Sequence, residues 1–174
     1  MKIKEIYLTV LFFPFFVYAS IFNSSSIVHP EVDKNGMVVS QHYLASSVGA
    51  QILKDGGNAY DASIAVAFTL AVVLPRAGNI GGGGFMVMYD EKTNKTFSID
   101  YREKAPALAS KDMYLNDDGT VNKKRAREGI LSIGVPGTVY GMWEVHKKFG
   151  SMPWKTLLKP CLLYTSDAAD DRIG

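Results

Sequence analysis

The chain has 174 residues, 47% of them apolar and 21% charged, and a formal net charge of +2. That length and balance suit one ordinary hydrophobic core and exclude a disordered or fibrous chain. Near-neutrality excludes the dense positive field of a nucleic-acid binder, and the single cysteine, Cys161, excludes an internal disulfide framework or a cysteine-based metal site.

Residues 1–19 read as a secretory signal. Lys2 and Lys4 precede an apolar run over 6–17, and Val17-Tyr18-Ala19 places small residues where a signal peptidase reads, just before Ser20. The run is shorter than the roughly 20 residues of a spanning helix and Pro14 interrupts it, so export with cleavage is expected rather than anchoring. A polar linker over 20–27 follows, and the domain begins near Val28.

Leu44, Val48, Ile52 and Leu53 recur at helical spacing, which predicts a helix over 41–54 ended by Gly56-Gly57. Asn58 or Asp61 is placed to cap a second helix that stops before Pro75. That helix is apolar almost all round, so it belongs in the interior. Four consecutive glycines, Gly81 to Gly84, then lead into an alternating strand over 85–89. A polar turn over 90–95 and a second strand over 96–101 complete a hairpin. The glycines permit close approach of other groups and positive φ.

Beyond Arg102 the pattern turns irregular, with Pro106, a turn at Asn116-Asp117-Asp118-Gly119, and a basic run Lys123-Lys124-Arg125 with Arg127 that reads as a solvated loop. A short strand is expected at 130–133. A turn at 134–137 follows, and then a helix capped by Thr138 and closed by Gly150. Ser151 and Pro153 open a last helix through Trp154, Leu157 and Leu158.

The chemistry is sparse. The glycine run has no Gly-Lys-Ser or Gly-Lys-Thr after it, and it sits between a helix and a strand, the reverse of the dinucleotide fingerprint. A loop where helix and sheet pack closely is the better reading. His29, His42 and His146 lack metal-set spacing and are given no catalytic role. No serine, cysteine or threonine has a recognisable base beside it, Thr165 included. Arg102 is the one candidate: at the end of a strand, its planar guanidinium suits two parallel hydrogen bonds to a carboxylate. The alternative is an ordinary ion pair with Asp100 or Glu103.

Five collinear segments carry a resemblance: Gly56-Gly57-Asn58-Ala59 with Asp61-Ala62; Gly78-Asn79-Ile80 with the four glycines and Phe85; Asp100-Tyr101-Arg102-Glu103-Lys104-Ala105-Pro106; Val135-Pro136-Gly137-Thr138; and Pro153-Trp154. Between about Val28 and Pro160 the chain resembles the large-subunit half of a γ-glutamyltranspeptidase. The resemblance implies an α+β fold of the N-terminal-nucleophile hydrolase type, a four-layer αββα sandwich of which this chain holds an incomplete half. It implies a proenzyme that cleaves itself, a threonine nucleophile in a small subunit outside this chain, and no catalytic residue within it. It implies that Arg102 binds the α-carboxylate of the glutamyl group. The partners implied are glutathione or other γ-glutamyl compounds and the small subunit of the same precursor. Neither cofactor nor metal, nucleic acid nor membrane is called for, and the location is periplasmic or extracellular. Residues 161–174 depart from the resemblance, as a truncated or mis-joined reading frame would, a divergent natural end being the alternative. The competing functions are an inactive secreted fragment or carboxylate-binding module, and a related amide-cleaving acylase.

Overall fold

The computed structural model describes the backbone of residues 32–170 and the side chains of 32–165. The expected signal, the linker, the start of the domain and His29 lie outside the described residues. Two units divide the chain, Met1–Lys34 and Asn35–Gly174, and the elements below belong to the second.

Helix α1, Tyr43–Lys54, buries Ala45, Val48 and Ile52. The expected boundary at 41 moves because His42 is its cap, with Nδ1 accepting the Leu44 N–H at 3.3 Å. Gly56, at φ +92°, turns the chain out of the helix, and the Gly57 N–H reaches back to the Ile52 carbonyl at 2.9 Å. Helix α2, Ala59–Val73, starts in a reciprocal capping box. The Asn58 side chain accepts the Tyr60 and Asp61 N–H groups, and the Asp61 carboxylate accepts the Asn58 N–H at 3.0 Å. Both cap candidates therefore act together. Helices α1 and α2 pack closely at Gly49, where an added Cβ would lie 2.7 Å from Val38 and from Val66.

Strands β1, Phe85–Asp90, and β2, Lys95–Asp100, form an antiparallel hairpin with Phe85 opposite Asp100 and Asp90 opposite Lys95. The turn places Asn94 at φ 52°, a conformation asparagine tolerates well. Alternation sorts the strands: Met86, Met88, Phe97 and Ile99 join the core, while Phe85, Val87 and Tyr89 stay 64%, 76% and 60% exposed.

The basic run expected as a loop is a short helix, α3, Lys123–Arg127, because Asn122 accepts the Arg125 N–H at 2.9 Å and nucleates a turn. The strand expected at 130–133 is instead a single 3-10 turn, Ile130–Ser132. Gly129 enters it at φ 81°, and the Ser132 hydroxyl returns to the Gly129 carbonyl at 2.7 Å. Local bonds win there because no strand among the described residues pairs with the segment.

Helix α4, Thr138–Phe149, is closed by Gly150 as expected, but its N-cap is Gly137 and not Thr138. The cap is tertiary: the Gly82 carbonyl accepts both the Gly137 N–H at 2.9 Å and the Thr138 N–H at 3.1 Å. Helix α5, Trp154–Asp170, carries Pro160 inside it. Ser151 does not open α5 with its side chain, which is committed to Asp61 at 2.5 Å.

Helix α2 packs against α1, α4 and α5. Ile64, Ala65, Met142, Val145 and Leu157 are almost wholly buried at the centre. Phe68 meets the Trp154 ring edge-on at 5.5 Å. The prediction that α2 is interior holds for the face bearing Ala62, Ile64, Ala65 and Phe68. Its other flank, with Val66, Ala67 and Leu70, lines an open apolar cavity of about 410 Å³. The result is an α+β arrangement of helices on one face of a two-stranded sheet. No helix among the described residues is long and apolar enough to cross a membrane.

Candidate functional site

The site is built on the chain just past β2. The Asp100 carboxylate accepts the Arg102 N–H at 2.9 Å, a side-chain turn that redirects the backbone out of the sheet. Arg102 therefore stands two residues beyond the strand end, with a side chain 65% exposed. Its Nε lies 3.3 Å from Glu103 Oε2. Such an exposed pair contributes little to stability, and it engages Nε, leaving the terminal fork of the guanidinium as a two-pronged donor for a carboxylate. Both readings of Arg102 are thus present together: it has an ion-pair partner, and it still offers a fork.

The backbone carrying Arg102 is held more tightly than its side chain. The Tyr101 N–H donates to the Gly84 carbonyl at 2.9 Å, continuing the hairpin by one pair. The Lys104 N–H donates to the Val135 carbonyl at 3.1 Å, and the Val135 N–H returns to Lys104 at 2.8 Å. Between these ties the glycine loop presses on the chain. A Cβ on Gly83 would sit 2.5 Å from the Tyr101 carbonyl oxygen and 2.7 Å from the Glu103 nitrogen. None of Gly81 to Gly84 is among the positive-φ glycines, which are Gly36, Gly56, Gly119 and Gly129. Close approach, and not a left-handed backbone, is what the run supplies.

Tyr101, Gly137 and Gly141 were missed by sequence reasoning. Burial raises the Tyr101 hydroxyl pKa above its ordinary value, and Tyr101 lines the same cavity as Met86 and Met142. A Cβ on Gly141 would run into the Tyr101 ring, and one on Gly137 into the Tyr101 carbonyl. The four-residue spacing of Gly137 and Gly141, which puts both on one helix face, is the signal that was available.

The remaining candidates fall away from this place. His42 caps α1. His146 Nε2 lies 2.8 Å from the Met152 carbonyl, which can only accept, so Nε2 carries the proton and the buried Nδ1 has no partner. Its ring packs against Trp143 and Trp154. Thr165 donates to the Cys161 carbonyl at 2.8 Å. Burial raises the Cys161 thiol pKa, as for an inert core cysteine. No three histidine, cysteine or acidic residues converge on a metal-sized site among the described residues.

Asp61 was expected only as a cap. Fully buried, it also accepts the Ser151 N–H at 3.1 Å, the Ser151 hydroxyl at 2.5 Å and the Met152 N–H at 3.4 Å, joining the start of α2 to the turn between α4 and α5.

Comparison with known proteins follows the same segments. The family model for gamma-glutamyltranspeptidase matches residues 45–167. The chain is 51% identical over 141 residues to a glutathione hydrolase proenzyme of Pseudomonas aeruginosa, covering 81% of this chain and 25% of that protein. It is 45% identical over 141 residues to the glutathione hydrolase proenzyme of Escherichia coli, covering 81% and 24%. The Helicobacter pylori gamma-glutamyltranspeptidase structure aligns with a TM-score of 0.73 at 45% identity over 76% of this chain and 38% of that one. A cephalosporin acylase from Bacillus halodurans aligns with a TM-score of 0.64 at 28% identity, covering 84% and 27%. The chain spans about a quarter of the length of the curated relatives it matches. With the glycine loop, the Asp-Tyr-Arg-Glu segment and the start of α4 all inside the matched region, this chain belongs to the γ-glutamyltranspeptidase family.

Proposed function

We propose that the complete protein carrying this chain transfers the γ-glutamyl group of glutathione, or of a related γ-glutamyl amide, to water or to an amino acid. The observation that carries this reading is family membership joined to the geometry of Arg102, a rigidly mounted and exposed fork just past a strand end. Arg102 binds the substrate α-carboxylate and so sets the distance from that anchor to the scissile amide. The nucleophile is a threonine made N-terminal by self-cleavage of the precursor, in a small subunit that this chain does not include. Its free α-amino group takes the hydroxyl proton, and the hydroxyl oxygen attacks the amide carbonyl. Cysteinylglycine departs with that proton, leaving a γ-glutamyl ester that water or an amino acid amine then opens. The half-sheet described here becomes part of a four-layer αββα sandwich, its exposed β1 face covered by the remaining protein. Residues 1–19 direct export and are removed.

The acylase reading is weaker on magnitude: identity is 28% to the cephalosporin acylase, against 45% to 51% for the glutathione hydrolase proenzymes. The test is to express the complete precursor, follow its self-cleavage on a denaturing gel and assay glutathione cleavage. Release of cysteinylglycine by the matured protein supports the reading, and matured protein that cleaves no γ-glutamyl amide overturns it.

A further inference from the structure

We propose that Tyr101 is a positioning residue for Arg102, its ring wedged against Gly141 of α4 and Gly84 of the glycine loop so that the fork is held at a fixed place; the proposal rests on the functional reading above. Arg102 lies outside the β-ladder and its side chain is exposed, with Glu103 as its ion-pair partner. Its reach is therefore set by where the backbone puts its Cα. On the N-terminal side that placement comes from Tyr101. The ring lies 3.1–3.2 Å from where a Gly84 Cβ would be, and it occupies the space a Gly141 Cβ would need. The Tyr101 carbonyl is confined between Gly83 and Gly137, and its N–H is bonded to Gly84. Two segments distant in sequence, the loop 82–84 and the start of α4, thus close on one residue. They are tied to each other through the Gly82 carbonyl, which caps α4. A shift of α4 or of the loop moves Tyr101, and Arg102 moves with it.

Against Gly141 the wedge is made by ring carbons and Cβ; the hydroxyl oxygen also stands 3.2 Å from where a Gly84 Cβ would be but makes no hydrogen bond among the described residues, so Tyr101→Phe preserves the wedge. Tyr101→Leu removes the ring, and Gly141→Ala forces it out. In the complete, self-cleaved protein, KM and kcat are measured for glutathione and for an analogue lacking the α-carboxylate, with Arg102→Ala as the reference. The expected result is that Tyr101→Phe keeps the wild-type KM. Tyr101→Leu and Gly141→Ala raise the glutathione KM roughly ten- to a hundredfold, the scale of an ångström-level misplacement, and leave the analogue unaffected. Equal losses on both substrates, an unchanged glutathione KM in Tyr101→Leu, or failure of both variants to self-cleave makes Tyr101 a structural residue and overturns the proposal. If Gly141→Ala alone fails to mature, Tyr101→Leu decides. Failure of the functional reading looks different: wild-type protein is inactive, or Arg102→Ala behaves as wild type, and the proposal falls with it.

Discussion

At the scale of single residues, two charged groups show opposite uses of burial. Arg102 is exposed and weakly paired, so replacing it costs the fold little and removes the proposed grip on a carboxylate. Arg102→Lys keeps the charge but not the planar fork, and recovers only part of the loss in glutathione kcat/KM caused by Arg102→Ala. Recovery to the wild-type value would show that a point charge suffices. Asp61 is the reverse case, fully buried with donors from Asn58, Ser151 and Met152 converging on it. Asp61→Ala strands those donors at about 1–3 kcal/mol for each that stays unsatisfied. A marked fall in the thermal unfolding midpoint is expected, and an unchanged midpoint would contradict the clasp. Spacing revealed Asp61 as a cap, since Asn58 and Asp61 stand three apart ahead of an apolar run. Its partners Ser151 and Met152 lie some ninety positions away and left no local trace.

At the scale of elements, local rules predicted what local energy decides. Gly56 ends α1, the 58–61 box starts α2, and alternation gave the hairpin, with its limits moved by a residue at the turn. The misreadings occur where a tertiary group intervenes or a partner is missing. The cap of α4 is the Gly82 carbonyl, over fifty residues away in sequence, so Thr138 was credited with another group's role. The apolar segment at 130–133 reads as a strand by composition, yet without a neighbour to pair with it closes on itself as a 3-10 turn. Two predictions belong here. Asn58→Ala removes the acceptor for the Tyr60 and Asp61 N–H groups and the donor to the Phe149 carbonyl at 2.8 Å. A loss of about 0.5–2 kcal/mol is expected from the cap alone, read as a lower denaturant midpoint. The β1 face of Phe85, Val87 and Tyr89 makes the 174-residue chain self-associate. Val87→Lys lowers the association seen by sedimentation, whereas a monodisperse wild-type chain would show that this face needs no cover.

For the whole molecule, the proposed division of labour puts the specificity element, Arg102, in this chain and the nucleophile in the small subunit. The family resemblance was legible because five short segments fall in order. The support for Arg102 was legible only in part: the spacing of Gly137 and Gly141 marked a small-residue helix face, but that this face and Gly83 close on Tyr101 is a long-range contact with no local trace. The isolated 174-residue chain is accordingly expected to release no aniline from a γ-glutamyl anilide, and release above an Arg102→Ala control would contradict that division of labour. The most direct measurement is kcat/KM of the complete, self-cleaved protein for glutathione and for its analogue lacking the α-carboxylate, each with and without Arg102→Ala. The substitution is expected to lower the glutathione value by the equivalent of about 2 kcal/mol or more, as for charge pairs buried on binding, and to leave the analogue unchanged. Equal losses on the two substrates, or no loss on glutathione, would contradict it.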